Sequence, residues 1–204
     1  MSGVKVKICG ITDPEAALAA AEAGADAVGF VFAPSSRRVT KEKAKEIIAM
    51  LPPYVDKVGV FVNAPPREVE EIAEFCRLTT IQLSGDEPPD YPVPVRYKLI
   101  RGFRVREGIL LSDLARYRAD AFLFDTYRPG CYGGTGEAFN WDVLRKIPSP
   151  KPVILAGGLN AGNVQQAIMT VRPYGVDVSS GVETGGRKDA AKIKEFIKLA
   201  KEVK

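Results

Sequence analysis

The chain contains no histidine in 204 residues, so the side chain used most often for proton transfer near neutral pH is missing. Acid–base work must then fall to Cys, Asp, Glu, Lys or Tyr. Without imidazole and without a Cys-x-x-Cys pair there is no thiolate–imidazole zinc set. Neither a metal nor a cofactor is expected. Cysteine itself is scarce: Cys9, Cys76 and Cys131 are widely spaced and odd in number, which reads as free thiols in a reducing compartment. No apolar run approaches the length of a membrane span, and Met1-Ser2-Gly3 leads into a strand without a signal-peptide apolar region. A cytoplasmic location away from membranes follows. A Lys/Arg block and nucleic-acid-binding motifs are absent too. The net charge of +4 is spread along the sequence, which speaks against a nucleic-acid partner and suits a phosphorylated small molecule.

What is present is alternation. Hydrophobic residues make up 46% of the chain, enough for one well-filled core. Val4–Cys9 alternates as a strand and stops at Gly10; Thr12-Asp13-Pro14-Glu15 then opens a helix that runs through Ala16–Ala23. Strands follow at Asp26–Phe32, Lys57–Val62, Thr79–Leu83, Arg96–Ile100, Ala121–Asp125, Pro152–Ala156 and Val176–Ser179. Helices are predicted at Lys41–Leu51, Arg67–Phe75, Leu110–Tyr117, Trp141–Lys146, Ala161–Val171 and Lys188–Val203. Between the fourth and fifth strands, Pro88, Pro89, Pro92 and Pro94 leave room for no more than a stub of helix. Eight βα units in unbroken alternation imply a parallel sheet closed into a (β/α)8 barrel, a TIM barrel, in one compact domain over 1–204 with a truncated helix after strand four. An open doubly wound sheet lacks its glycine fingerprint here.

In such a barrel the strand C-termini and the loops after them share one mouth, where chemistry is placed. Strand parity puts Val4, Val6 and Ile8 toward the helices and directs Lys7 and Cys9 into the barrel. Taken alone, Cys9 reads more readily as a small core residue than as a functional thiol. A barrel-facing Lys7 requires a partner or a role, one of which is to hold a thiolate by its charge. Asp125 ends strand six, with Phe122 and Phe124 facing the helices. A helix-capping role for Asp125 is disfavoured, because the predicted helix starts only after Tyr127–Asn140. Cys9 and Asp125 would flank a substrate from two sides, one removing a proton and the other donating one.

Ala156-Gly157-Gly158-Leu159-Asn160 follows strand seven, and Ser179-Ser180-Gly181-Val182-Glu183 follows strand eight. Two glycine-bearing loops in the last two units favour a phosphate site over simple tight turns. Gly133–Gly136 is either a lid or an anion nest. After strand two, Ser35-Ser36-Arg37-Arg38 supplies arginines that are either solvated surface charges or a fork for a carboxylate.

The ordered set Lys7–Thr12, Gly29–Phe32, Val58–Val62, Ile81-Gln82-Leu83, Phe124-Asp125-Thr126, Gly133–Gly136, Leu155–Asn160 and Val176–Glu183 resembles the phosphoribosylanthranilate isomerase family over essentially the whole chain. The resemblance implies an Amadori rearrangement of N-(5-phosphoribosyl)anthranilate in tryptophan biosynthesis, with no cofactor. It makes Asp125 the general acid and Cys9, as thiolate, the general base. Arg37 matches the position that binds the anthranilate carboxylate. The implied substrate-binding set is Lys7, Arg37, Gln82, Gly157, Gly158, Asn160, Ser180 and Gly181, in a monomer or homodimer. Ser84 stands where the family usually has histidine, Ser36 where proline is common and Asn140 where aspartate is usual; with Cys9 and Asp125 intact, the histidine is read as inessential to proton transfer. A barrel of the indole-glycerol-phosphate synthase kind would want a further lysine and glutamate at strand ends, and no glutamate stands out there. A phosphate-binding barrel without catalysis is the remaining alternative, and turnover separates it.

Overall fold

The computed structural model describes residues 3–105, 111–126, 141, 144 and 149–203. Eight parallel strands close in sequence order: β1 Lys5–Cys9, β2 Ala27–Val31, β3 Asp56–Phe61, β4 Thr80–Leu83, β5 Lys98–Val105, β6 Ala121–Thr126, β7 Val153–Leu155 and β8 Gly175–Val178. Around them lie α1 Pro14–Glu22, α2 Lys41–Ala49, α3 Pro66–Cys76, α4 Leu111–Ala115, α5 Val164–Val171 and α6 Ala190–Glu202. The expected barrel is therefore present. Among the described residues, no helix is long and apolar enough to cross a membrane. Gly133–Gly136, Cys131, Asn140 and most of the helix expected at Trp141–Lys146 lie outside the described residues.

Strand parity sorts the core into two layers. Val6, Ile8, Phe30, Phe61, Phe122 and Phe124 pack outward against the helices. Val58, Ile100, Ala121, Leu123, Ile154 and Ala156 form a separate cluster from the opposite strand faces, filling the barrel. Helix starts follow their caps. The Asp13 carboxylate accepts from Ala16 N at 2.9 Å, and Asp189 accepts from Ala191 N and Lys192 N at 2.9 and 3.2 Å.

Three expectations are corrected. β5 runs Lys98–Val105, not Arg96–Ile100: Arg96 is drawn off to Glu70 on α3 at 3.0 Å. The strand continues through Gly102 because Phe103 packs edge-on against Phe122 and Tyr117. α6 starts at Ala190 rather than Lys188, since Arg187–Lys188 (β10) pairs antiparallel with Glu183–Thr184 (β9). The connecting Gly185 and Gly186 both have positive φ, the signature of a two-residue hairpin turn. α5 begins at Val164 rather than Ala161, because Asn160 Oδ1 accepts from Gly162 N at 2.8 Å and holds that stretch as a turn.

The proline-rich connection after β4 forms no helix among its described residues. A buried ion pair between Arg101 and Glu87 takes its place. The Glu87 carboxylate also accepts from Asn63 N and Gly85 N, at 2.8 and 2.9 Å. Tyr91 Oη donates to Ala64 O at 2.9 Å, tying this segment to the β3–α3 loop. Tyr91→Phe deletes one such bond and is expected to lower stability by about 1 kcal/mol. Thermal melts should show that as a drop of roughly 2–4 °C in Tm.

Candidate active site

The site begins with β1. Lys7 and Cys9 point inward and are buried at 3% and 8% exposure. Two buried ionic groups are tolerable only when paired, and Lys7 has its partner: its Nζ donates to Asp177 Oδ1 on β8 at 2.8 Å. Lys7 and Asp177 are register neighbours, so the pair is set by the β1–β8 seam that closes the barrel. Burial pulls the Lys7 pKa down, but Asp177 and Cys9 together outweigh it and the ammonium is held. Burial also pushes the Asp177 carboxyl up while Lys7 pulls against it. The 2.8 Å contact between the two groups works against the cost of burying their charges.

Cys9 feels opposing forces. Burial raises the thiol pKa above its ordinary value; the Lys7 ammonium lowers it, and Asp177 raises it again. The net direction is upward. Deprotonation of this thiol is favoured chiefly by the Lys7 ammonium, with Lys188 adding a smaller pull.

Asp125 lies at the end of β6, two residues beyond inward-facing Leu123 and on the same strand face. It is half-buried, as a group at the barrel mouth should be. On β4, Gln82 is buried; its Nε2 donates to Ser84 Oγ at 3.0 Å, whereas its Oε1 is buried without a hydrogen-bond partner. Ser84 thus receives a hydrogen bond at the position where histidine was expected by resemblance.

After β7 and β8 the two glycine-bearing loops meet. A Cβ on Gly181 would lie 1.8 Å from the Leu159 carbonyl oxygen, so no other residue permits this approach. Ser180 and Gly181 sit in a single 3-10 turn, Ser180–Val182, facing the stretch that holds Gly157 and Gly158. Asn160 acts within its own loop: its Nδ2 donates to Gly158 O at 3.4 Å and its backbone N to Asn163 Oδ1 at 2.9 Å. The structure brings these five residues together, with the Asn160 side chain bracing the cradle.

Of the paired arginines, Arg38 is exposed and Arg37 half-buried. Arg37 Nε and Nη2 donate to the two carboxylate oxygens of Glu183 at 2.6 and 2.8 Å. Lys188 Nζ donates to Glu183 Oε1 at 2.7 Å and to Ser179 O at 2.9 Å. Burial pushes the Glu183 carboxyl up, but Arg37 and Lys188 override it and the group is held below its ordinary pKa. Sequence reasoning missed Asp177, Glu183 and Lys188. In particular, a glutamate does stand beyond a strand end, in β9, and its carboxylate is occupied by two cations. Among the described residues, no cluster of Cys, Asp or Glu side chains is arranged to hold a metal ion.

A (β/α)8 barrel with an inward thiol beside a buried lysine, an acid at its mouth and paired glycine loops after the last two strands has the makings of a phosphosugar isomerase. Comparison with known proteins narrows this. Residues 6–199 match the N-(5'-phosphoribosyl)anthranilate (PRA) isomerase family. The N-(5'-phosphoribosyl)anthranilate isomerase of Geobacter sulfurreducens is 54% identical over 97% of this chain and 98% of its own. The crystal structure of phosphoribosyl anthranilate isomerase from Thermotoga maritima superposes with a TM-score of 0.86 at 44% identity, covering 97% of this chain and 98% of that one. A further solved structure, of the isomerase in complex with reduced 1-(o-carboxyphenylamino)-1-deoxyribulose 5-phosphate, has a TM-score of 0.81 at 40% identity, with coverage of 97% and 98%. The chain belongs to the N-(5'-phosphoribosyl)anthranilate isomerase family.

Proposed function

We propose that this chain, as a monomer or homodimer, rearranges N-(5-phosphoribosyl)anthranilate to 1-(2-carboxyphenylamino)-1-deoxyribulose 5-phosphate in tryptophan biosynthesis. The observation that carries the reading is Cys9 on β1, next to the buried Lys7–Asp177 pair, in a barrel whose Asp125 lies at the C-terminal end of β6. Asp125 protonates the furanose ring oxygen, the bond from that oxygen to C1′ breaks, and the anthranilate nitrogen supplies the electrons to form a protonated Schiff base. The Cys9 thiolate removes the C2′ proton, and those bonding electrons collapse the Schiff base to an enolamine. Proton loss from the C2′ hydroxyl and proton gain at C1′ complete the ketone. Protons are moved and one ring bond is opened with no atom gained or lost overall, so substrate and product are isomers.

The supporting groups have defined tasks. Lys7 favours the thiolate by charge. The Gly157-Gly158 and Ser180-Gly181 loops offer backbone N–H groups to the phosphate, braced by Asn160. The unpartnered Gln82 Oε1 offers an acceptor to a sugar hydroxyl. Arg37 takes the anthranilate carboxylate. Purified protein added to the phosphoribosylated substrate should make anthranilate-derivative fluorescence decay; no turnover sinks the reading and leaves a binding barrel.

The pH dependence follows from Cys9. Its pKa is displaced upward by burial despite Lys7, and the base must be deprotonated. Below that pKa the thiolate fraction rises about tenfold per pH unit. The limb of kcat/KM assigned to the base should therefore climb with pH through and above neutrality, and iodoacetamide labelling of Cys9 should climb with the same midpoint. A base limb that levels off on the acid side of neutrality would show a thiol pKa depressed, not raised.

A further inference from the structure

The Arg37–Glu183–Lys188 cluster is built more rigidly than a surface ion pair requires. Lys188 is almost wholly secluded, its side chain 1% exposed, and it is fixed to Glu183 and to both oxygens of Ser179. Ser179 Oγ in turn donates to Cys9 O at 3.1 Å, linking the cluster to the end of β1. The Arg37 side chain packs against Gly10, where a Cβ would come within 2.6 Å of Arg37 Cδ. A guanidinium has two edges able to grip a carboxylate: Nε with one Nη, and the two Nη atoms together. Glu183 occupies only the first. One carboxylate against two cations leaves the cluster a net positive charge.

From this geometry we infer that Glu183 is a positioning residue, which clamps the side edge of Arg37 so that its terminal edge meets the substrate's carboxylate. The inference rests on the reading of Arg37 given under the proposed function and extends it to how that arginine is aimed. Glu183 touches neither the reacting carbon nor the ring oxygen in this scheme. Its effect is transmitted through Arg37 and is confined to substrates that carry a carboxylate. Lys188 holds Glu183 in place and keeps it ionised.

The test is steady-state kinetics of Glu183→Gln with two substrates, phosphoribosylanthranilate and its analogue made from aniline, which lacks the carboxylate. With the first, KM should rise by about tenfold, the size of one charge-assisted hydrogen-bond pair, while kcat changes little. With the second, KM should match the unsubstituted protein. A double variant with Arg37→Ala should show the KM of Arg37→Ala alone, because Glu183 acts through that residue. A lower KM in Glu183→Gln would make Glu183 a competitor for Arg37 and overturn the inference; so would equal losses on both substrates. If Arg37→Ala itself leaves KM unchanged, the Arg37 assignment fails first, which the Glu183 result alone does not imitate. Should Glu183→Gln not fold, Glu183→Asp is run on the same two substrates, with the same split expected at smaller size and an absent split counting against the inference.

Discussion

Cys9→Ser is expected to fold as the unsubstituted protein does and to lose about 10²–10⁴-fold or more in kcat. The substitution exchanges sulfur for oxygen in a secluded site beside Lys7, so packing changes little. What changes is acidity. A hydroxyl is a far weaker acid than a thiol, and the burial that already raises the thiol pKa acts against an alkoxide as well. Lys7, still paired with Asp177, then has no thiolate to stabilise, and removal of the C2′ proton loses its base. KM should change less than kcat, because phosphate, carboxylate and sugar contacts come from other residues. Far-ultraviolet circular dichroism and single-turnover kinetics on one preparation check both halves. Near-normal kcat in a folded Cys9→Ser protein would remove Cys9 from the chemistry and return it to the bland role of a buried core thiol.

The strands and the inward direction of Lys7 and Cys9 were legible because both follow from local alternation. Val6 and Ile8 are fully buried against the helices, and parity does the rest. Partners were another matter. Lys7 meets Asp177 across 170 positions of sequence, and Arg37 meets Glu183 across 146; no local pattern encodes either. A signal for Asp177 did exist: a lone acid within the apolar run of β8, with parity that turns it toward the barrel, is the natural counterion for an inward lysine. The Gly185-Gly186 turn was also readable, and Lys188 was absorbed into the last helix only because helix and hairpin abut. β5 runs past Ile100, where the sequence pattern ends it, through Arg101 and Gly102. Arg101 is buried with Glu87, in the connection after β4 where no helix forms among the described residues. The Asn160 side chain illustrates a subtler limit: its place in the glycine loop after β7 is plain from the sequence, but its hydrogen bonds within that loop are not.

Asp125→Asn tests the other half of the reaction and should be as severe on kcat, about 10²–10⁴-fold. An asparagine fills nearly the same volume at the half-buried end of β6 and leaves the strand pairing of β6 with β5 and β7 intact. It has no proton to release to a leaving ring oxygen, so that oxygen must depart as an alkoxide or wait for water. The defect is then specific to ring opening, the step before Cys9 acts. Deuterium at C2′ separates the two steps. In the unsubstituted protein, any isotope effect on kcat reports how far proton removal by Cys9 limits the rate. In Asp125→Asn, ring opening becomes limiting by a wide margin and the effect should collapse toward unity. Normal turnover of the closed furanose would make Asp125 structural only. A large C2′ isotope effect alongside a large loss of kcat would place Asp125 in the proton-removal step and exchange the roles argued here.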